Sequence, residues 1–293
     1  MVNSMTGFGR AIAEADGREL TVELKSVNHR YLDIGMRLPR TLIFLEDTIR
    51  SGLNGKLSRG HVDVYINYKN NRSDSRLVLL DEPLIGTYLS AIEKASDISG
   101  LRNDMTLSKL LHMPDLLTVV ESDDDREVVS QLCVRAVAQA TDALIVMRAV
   151  EGEKLASDII ARSRTLLDII LLIEERAPNV VRDYKDKLSA RIAELLGGGI
   201  ELDQTRLANE VAIFAEKADI DEEIVRLKSH ISQLTAMLKG NDPAGRKLDF
   251  VVQEMNREMN TIGSKAADLA ILDAVIYGKA EIEKIREQVQ NIE

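Results

Sequence analysis

Glu19-Leu20-Thr21-Val22-Glu23-Leu24-Lys25-Ser26-Val27 alternates apolar and polar side chains for most of its length. A strand sends successive side chains to opposite faces, so this is the period of a half-buried β-strand. Tyr31–Leu38 and His61–Tyr68 repeat the pattern with β-branched and aromatic residues. Between them Leu42, Leu45, Ile49, Leu53 and Leu57 recur at helical spacing, and Ser58-Arg59-Gly60 turns the chain into the next strand. These residues predict an antiparallel sheet with one covering helix.

Outward from that sheet the character changes. Residues 71–80 are polar and then apolar, and read as a strand or a loop. After about residue 81 helix dominates. Leu84–Ala95 and Leu107–Met113 are short helices, and Glu127 to about Ala177 holds one or two long ones. Asn179–Leu196 is another, stopped by Gly197-Gly198-Gly199. Ile220, Ile224, Leu227, Ile231, Leu234 and Leu238 keep a 4-3-4-3-4 spacing, the narrow seam of a helical hairpin or coiled coil. The expected class is α+β, with long helical hairpins in a largely α-helical C-terminal region. The expected divisions are 1–80 for the α+β domain (about 150 on an alternative boundary), 81–200 for a helical middle region and 201–293 for a C-terminal helical domain.

Composition narrows the class. Of 293 residues, 45% are hydrophobic but only 3% aromatic, which suits Leu-, Ile- and Ala-rich helices better than a β-sandwich. A single cysteine, Cys133, allows no internal disulfide and fits a reducing cytoplasm. Its apolar helical setting reads as structural. The start lacks a leader-like basic and apolar pair of segments, and no run approaches the roughly 18 apolar residues of a membrane span. Net charge is −10. Residues 1–72 nonetheless hold 11 Lys/Arg against 8 Asp/Glu, a net of +3. That asymmetry permits a local basic surface for nucleic acid at the N-terminal end.

Arg246–Lys265, placed on a helical wheel, divides into three faces. Leu248, Val251, Val252, Met255, Met259 and Ile262 form an apolar core face. Asp249, Gln253, Asn256, Asn260 and Ser264 form an amide stripe. Asparagine is a poor helix former, so a compensating role follows: bonds to a neighbouring helix, or to a phosphate, ribose or base. Glu254, Arg257, Glu258, Thr261 and Lys265 form the third face. Glu254 and Glu258 lie one turn apart and can share a divalent ion or divide acid and base roles. Spacing alone favours their pairing with Arg257 and Lys265 at the surface.

A second acidic cluster runs Asp219-Ile220-Asp221-Glu222-Glu223. Asp219 and Asp221 read as cap and first-turn residues. Glu222, Arg226 and His230, four residues apart, can hold a metal or position a base, with a structural role as good for His230. Near the N-terminus His29, Arg30, Arg37 and Arg59 sit at strand ends, where they can rim a phosphate site. Gly7 and Gly9 make no dinucleotide fingerprint, since the third glycine and following helix are missing. His61 and His112, beside apolar residues, read as structural.

Taken together these stretches resemble the bacterial YicC/YloC endoribonuclease family. The resemblance lies in Ser4-Met5-Thr6-Gly7-Phe8-Gly9, Ser26–Leu32, Arg37-Leu38-Pro39, Leu57–Gly60, Arg148 with Glu151-Gly152, and Asp221–His230. It continues through Gly245–Phe250, Gln253-Glu254-Met255-Asn256-Arg257-Glu258, Asn260-Thr261, Ser264-Lys265 and Ile285–Glu293, and is weakest over 70–145. It implies an N-terminal mixed domain, a C-terminal helical domain and a ring-like homo-oligomer, a hexamer. It implies cleavage of single-stranded or hairpin RNA aided by a divalent cation, Mg or Mn. On that reading Glu222, Glu254 and Glu258 hold metal, and Glu254, Glu258, His230 and Arg257 are catalytic, with His29 a second proton carrier. His29, Arg30, Arg37, Arg59, Arg246, Asn256, Asn260 and Lys265 bind RNA. RNA-decay proteins are further expected partners. The alternative is a non-catalytic RNA-binding adaptor that delivers transcripts to other nucleases. A purely structural coiled coil would leave the amide stripe without a purpose.

Overall fold

A computed structural model describes residues 2–121, 124–196, 203–240 and 245–293, save the side chains of Glu121, Leu196 and Arg246. Strands β1 (Gly7–Ala15), β2 (Arg18–Val27), β3 (Leu32–Arg37) and β4 (Gly60–Asn70) form one sheet in the order β1-β2-β4-β3. The three alternating stretches are thus β2, β3 and β4, and Leu20, Val22, Leu24, Val62 and Val64 are fully buried.

One expectation needs correcting: the sheet is mixed. β1–β2 and β2–β4 are antiparallel, but β3 pairs β4 in parallel, with Ile34 opposite Val62. Parallel neighbours require a crossover of a dozen or more residues. Here it is a 3-10 turn (Arg40–Leu45) leading into α1 (Glu46–Asn54), which buries Leu42, Leu45, Ile49 and Leu53. Gly60 then enters β4 at φ +109, a conformation that favours glycine.

Strand β5 (Arg76–Leu80) follows and pairs antiparallel with β6 (Leu117–Glu121), which the sequence reading missed. Between them lie α2 (Glu82–Ser99) and the single turn α3 (Leu107–Leu111). The remaining helices are α4 (Arg126–Leu196), α5 (Gln204–Lys217), α6 (Asp221–Lys239), α7 (Gly245–Lys265) and α8 (Leu269–Val289).

Helix α4 runs unbroken for 71 residues through Pro178, where two helices meeting near Ala177 are expected. Proline costs a helix interior about 3 kcal/mol. Ile173 before it and Val180 after it are both buried in one apolar cluster, so packing on each side holds the helix together. At about 1.5 Å per residue α4 is roughly 106 Å long. Its first half covers the sheet: Val129, Leu132, Ala136, Ala140 and Leu144 join the β-sheet core. Its second half packs with α6, α7 and α8 around Ile159, Leu166 and Ile170. No described helix is long and apolar enough to cross a membrane.

The chain termini close the molecule. Asn3 and Glu293 exchange backbone hydrogen bonds, and Met5 N–H donates to the Asn291 carbonyl. Arg148 of α4 is 3% exposed. It donates to the Ser4 carbonyl and the Glu293 carboxylate. A Cβ at Gly152 would lie 2.3 Å from the Val2 carbonyl oxygen. Ser4, Arg148, Gly152 and the last residues therefore form a structural clasp.

Candidate active site

The three faces of α7 have three different neighbours. The apolar face is core, with all six of its residues at most 3% exposed. The carboxylate face meets α6, which brings Arg226 and His230. One potential ligand atom from each of His230, Glu254 and Glu258 lies within 4.8 Å of the others. Glu258 is only 5% exposed, and Arg226 Nη1 stands 3.9 Å from its Oε1. His230 Nδ1 is buried with no hydrogen-bond partner among the described residues. A buried polar atom left unpaired is costly.

Glu222 is not part of this cluster, because its carboxylate is taken by Arg226. Helical arithmetic gives the reason. At 100° per residue Glu222 lies about 80° from His230, whereas Glu223 lies about 20° away. Glu223 is the inward acid, 5% exposed, with Lys265 Nζ 2.8 Å from Oε1 and Oε2 unpartnered. Sequence reasoning missed it as a site residue. The available signal was an acid four residues before Leu227 on an otherwise apolar stripe. Lys265, expected on RNA, is thus half-buried in an ion pair. Asp219, expected as the cap, lies one residue before it: Ile220 is the N-cap of α6, and Asp219 accepts the Asp221 backbone N–H at 3.0 Å.

The amide stripe opens onto a groove. Gln253, Asn256, Asn260 and Ser264 line it together with Arg257, Thr261 and Arg286 from α8. Gln253 donates to Asp249 on its own helix at 2.8 Å rather than across a helix seam. Arg257 is 76% exposed and lies 3.7 Å from Glu254. It therefore bridges the groove and the carboxylate cluster.

The N-terminal residues are distributed more widely. Arg59 donates to the His29 carbonyl at 3.3 Å, and a Cβ at Gly245 would lie 3.5 Å from Arg59 Nη1. This strand end therefore abuts the start of α7. Arg246 lies in that first turn, but its side chain is outside the described residues. His29 Nδ1 is 3.0 Å from the Tyr31 carbonyl, and Arg30 lies over the Tyr31 ring. Arg37 instead lies over Tyr65 on the open sheet face. His61 bridges Asp33 and Asp63 on that face, and the bond to Asp33 raises its pKa. His112 bonds its own α3 carbonyl at Ser108. Burial pushes the Cys133 thiol up to about 11, so it is no nucleophile.

The fold and the site define an α+β protein with a histidine–carboxylate cluster beside a groove of amides and arginines. The chain belongs to the YicC-like endoribonuclease family: the N-terminal family model matches residues 2–157 and the C-terminal one residues 173–293. It is 43% identical over 293 residues to a probable endoribonuclease YicC of Clostridioides difficile (strain 630). It is 32% identical over 297 residues to the protein of that name in Haemophilus influenzae (strain ATCC 51907 / DSM 11121 / KW20 / Rd). Both alignments cover each chain in full.

Proposed function

We propose that this chain is a cytoplasmic endoribonuclease that cuts single-stranded or hairpin RNA with the help of a divalent cation, Mg or Mn. The convergence of His230, Glu254 and Glu258 carries this reading. One nitrogen and two carboxylates suit a borderline or hard cation and leave positions open for substrate. The unpartnered His230 nitrogen fits such a ligand. When bound, the ion would favour ionisation of an attacking water or ribose hydroxyl and offset phosphate charge.

The chain's own side chains have distinct tasks. His230, Glu254 and Glu258 would hold the ion. Arg257 reaches from Glu254 into the groove, where it can meet the scissile phosphate and stabilise developing charge. Arg226 fixes Glu258 from α6, and Lys265 holds Glu223 beside it. Asn256 and Asn260 orient the strand.

A ring of subunits is part of the reading. Leu77, Val78, Leu79 and Leu80 on β5, with Leu117 and Val119 on β6, are 43–64% exposed. Helix α2 buries none of its residues. Val78, Leu80, Leu117 and Val119 share one face of this two-stranded ribbon, with Leu77 and Leu79 on the other, and an exposed apolar face of this kind suits contact with a second copy.

Labelled RNA incubated with Mn²⁺ or Mg²⁺, with and without EDTA, tests the activity. Cleavage that EDTA abolishes and that a Glu254→Gln/Glu258→Gln variant loses is expected. Cutting at the normal rate by that variant would remove the metal assignment. RNA binding without cleavage by the wild type would mean the adaptor instead. Val78→Glu/Val119→Glu should lower the assembly mass in mass photometry; an unchanged mass would put the subunit contact elsewhere.

A further inference from the structure

We infer that the solvent-facing stripe of α7 is a track for unpaired ribonucleotides, in which Phe250 stacks a base and Arg286 grips a phosphate. The inference rests on the reading of the neighbouring cluster as an RNA-cutting site.

Phe250 is the anomaly. It is 62% exposed on a helix whose other large apolar residues are buried. At 100° per residue it lies within about 20° of Arg257 and Thr261, about two and three turns further along. It therefore continues the groove stripe towards the helix start, between the amide and carboxylate faces. Arg286 forms the far wall of the groove, and its Nε is buried without a hydrogen-bond partner among the described residues. Among the described residues its only ion pair is with Glu283, at 3.4 Å through Nη1. Beyond Phe250, the start of α7 abuts Arg59.

Cations at intervals, amides between them and one exposed ring are the components of single-strand recognition. Bases stack on the ring while the backbone follows the positive charge. A duplex hides the faces of its bases, so the ring selects unpaired nucleotides. This gives the neighbouring histidine–carboxylate cluster a preference for single-stranded or loop substrate.

The protein contains no tryptophan, so Phe250→Trp is a unique fluorescent reporter. The full-length variant would be titrated in EDTA with an unstructured RNA and with a blunt duplex of the same sequence. Emission should be quenched by the single strand, with the midpoint given by anisotropy of labelled RNA, and not by the duplex. Phe250→Ala should bind the single strand about tenfold more weakly or worse, with Phe250→Tyr restoring it. Arg286→Met should weaken binding in the same direction. Binding without quenching, wild-type affinity in Phe250→Ala, or a lowered assembly mass in that variant would overturn the inference. Cleavage in Mn²⁺ is read separately. Intact metal-dependent cutting with no quenching removes the track and leaves the function. Quenching with no cutting by the wild type removes the function and leaves the track.

Discussion

Asp268 serves two purposes at the start of α8. Its carboxylate accepts the backbone N–H groups of Ala270 and Ile271 and meets Arg176 of α4 at 2.7 Å. The Arg176 hydrogen bond holds its pKa below the usual carboxylate range. A depressed folded pKa stabilises the fold above the unfolded value near 3.9, and that stability is lost as pH falls through the folded value. Asp268→Asn keeps the cap and removes the charge. Urea midpoints should show the variant less stable at pH 7 and converging on wild type as pH drops through the acid range. An equal deficit at every pH would show that the charge is irrelevant. At this scale the sequence was legible where a residue acts locally, as Asp221 does in the first turn of α6. It misled at Glu222, where a spacing of four looked aligned but accumulated rotation over eight residues. Glu223, at seven, faces inward.

Among elements, the contact between β1 and α4 sets how the sheet meets the long helix. A Cβ at Gly9 would fall 2.1 Å from the Ala140 carbonyl oxygen and 2.8 Å from the Leu144 nitrogen. Gly9 thus serves backbone approach, while a Cβ at Gly7 would press the Arg148 and Leu144 side chains. Gly9→Ala should destabilise the protein by about 1–3 kcal/mol or more in urea unfolding, the usual cost of overpacking. A shift under ~0.5 kcal/mol would show that the helix moves aside freely. Strands β2 to β4 and the core face of α7 were readable because each buries one face at its own period. The parallel pairing of β3 was not, since strand direction is fixed by the crossover rather than by the strand. Strand β6 was not readable because Leu117 and Val119 face outward and carry no alternating burial. The unbroken passage of α4 through Pro178 was likewise hidden, because it depends on distant packing partners.

Across the whole molecule, the termini join the sheet and the helices through Arg148 and Glu293. Removing one member of a buried pair leaves the other charge uncompensated, at a cost of about 3–5 kcal/mol. Glu293→Gln should therefore lower stability by roughly 3 kcal/mol in urea unfolding, although it touches no proposed site residue. A change within ~0.5 kcal/mol would mean that the backbone bonds alone hold the clasp. Several family-matching segments, including Ser4-Met5 and the terminal residues, belong to this clasp. Sequence alone could not divide such residues from the site, since both are polar and specific. Clasp residues find partners within the chain, whereas His230 Nδ1 has none among the described residues.

The central claim is that His230, Glu254 and Glu258 hold a divalent cation, and direct Mn²⁺ binding tests it most plainly. Electron paramagnetic resonance titration of the full-length chain should show one tight Mn²⁺ per subunit, lost in Glu258→Gln and retained in Glu222→Gln. Equal Mn²⁺ binding by wild type and Glu258→Gln would contradict the assignment.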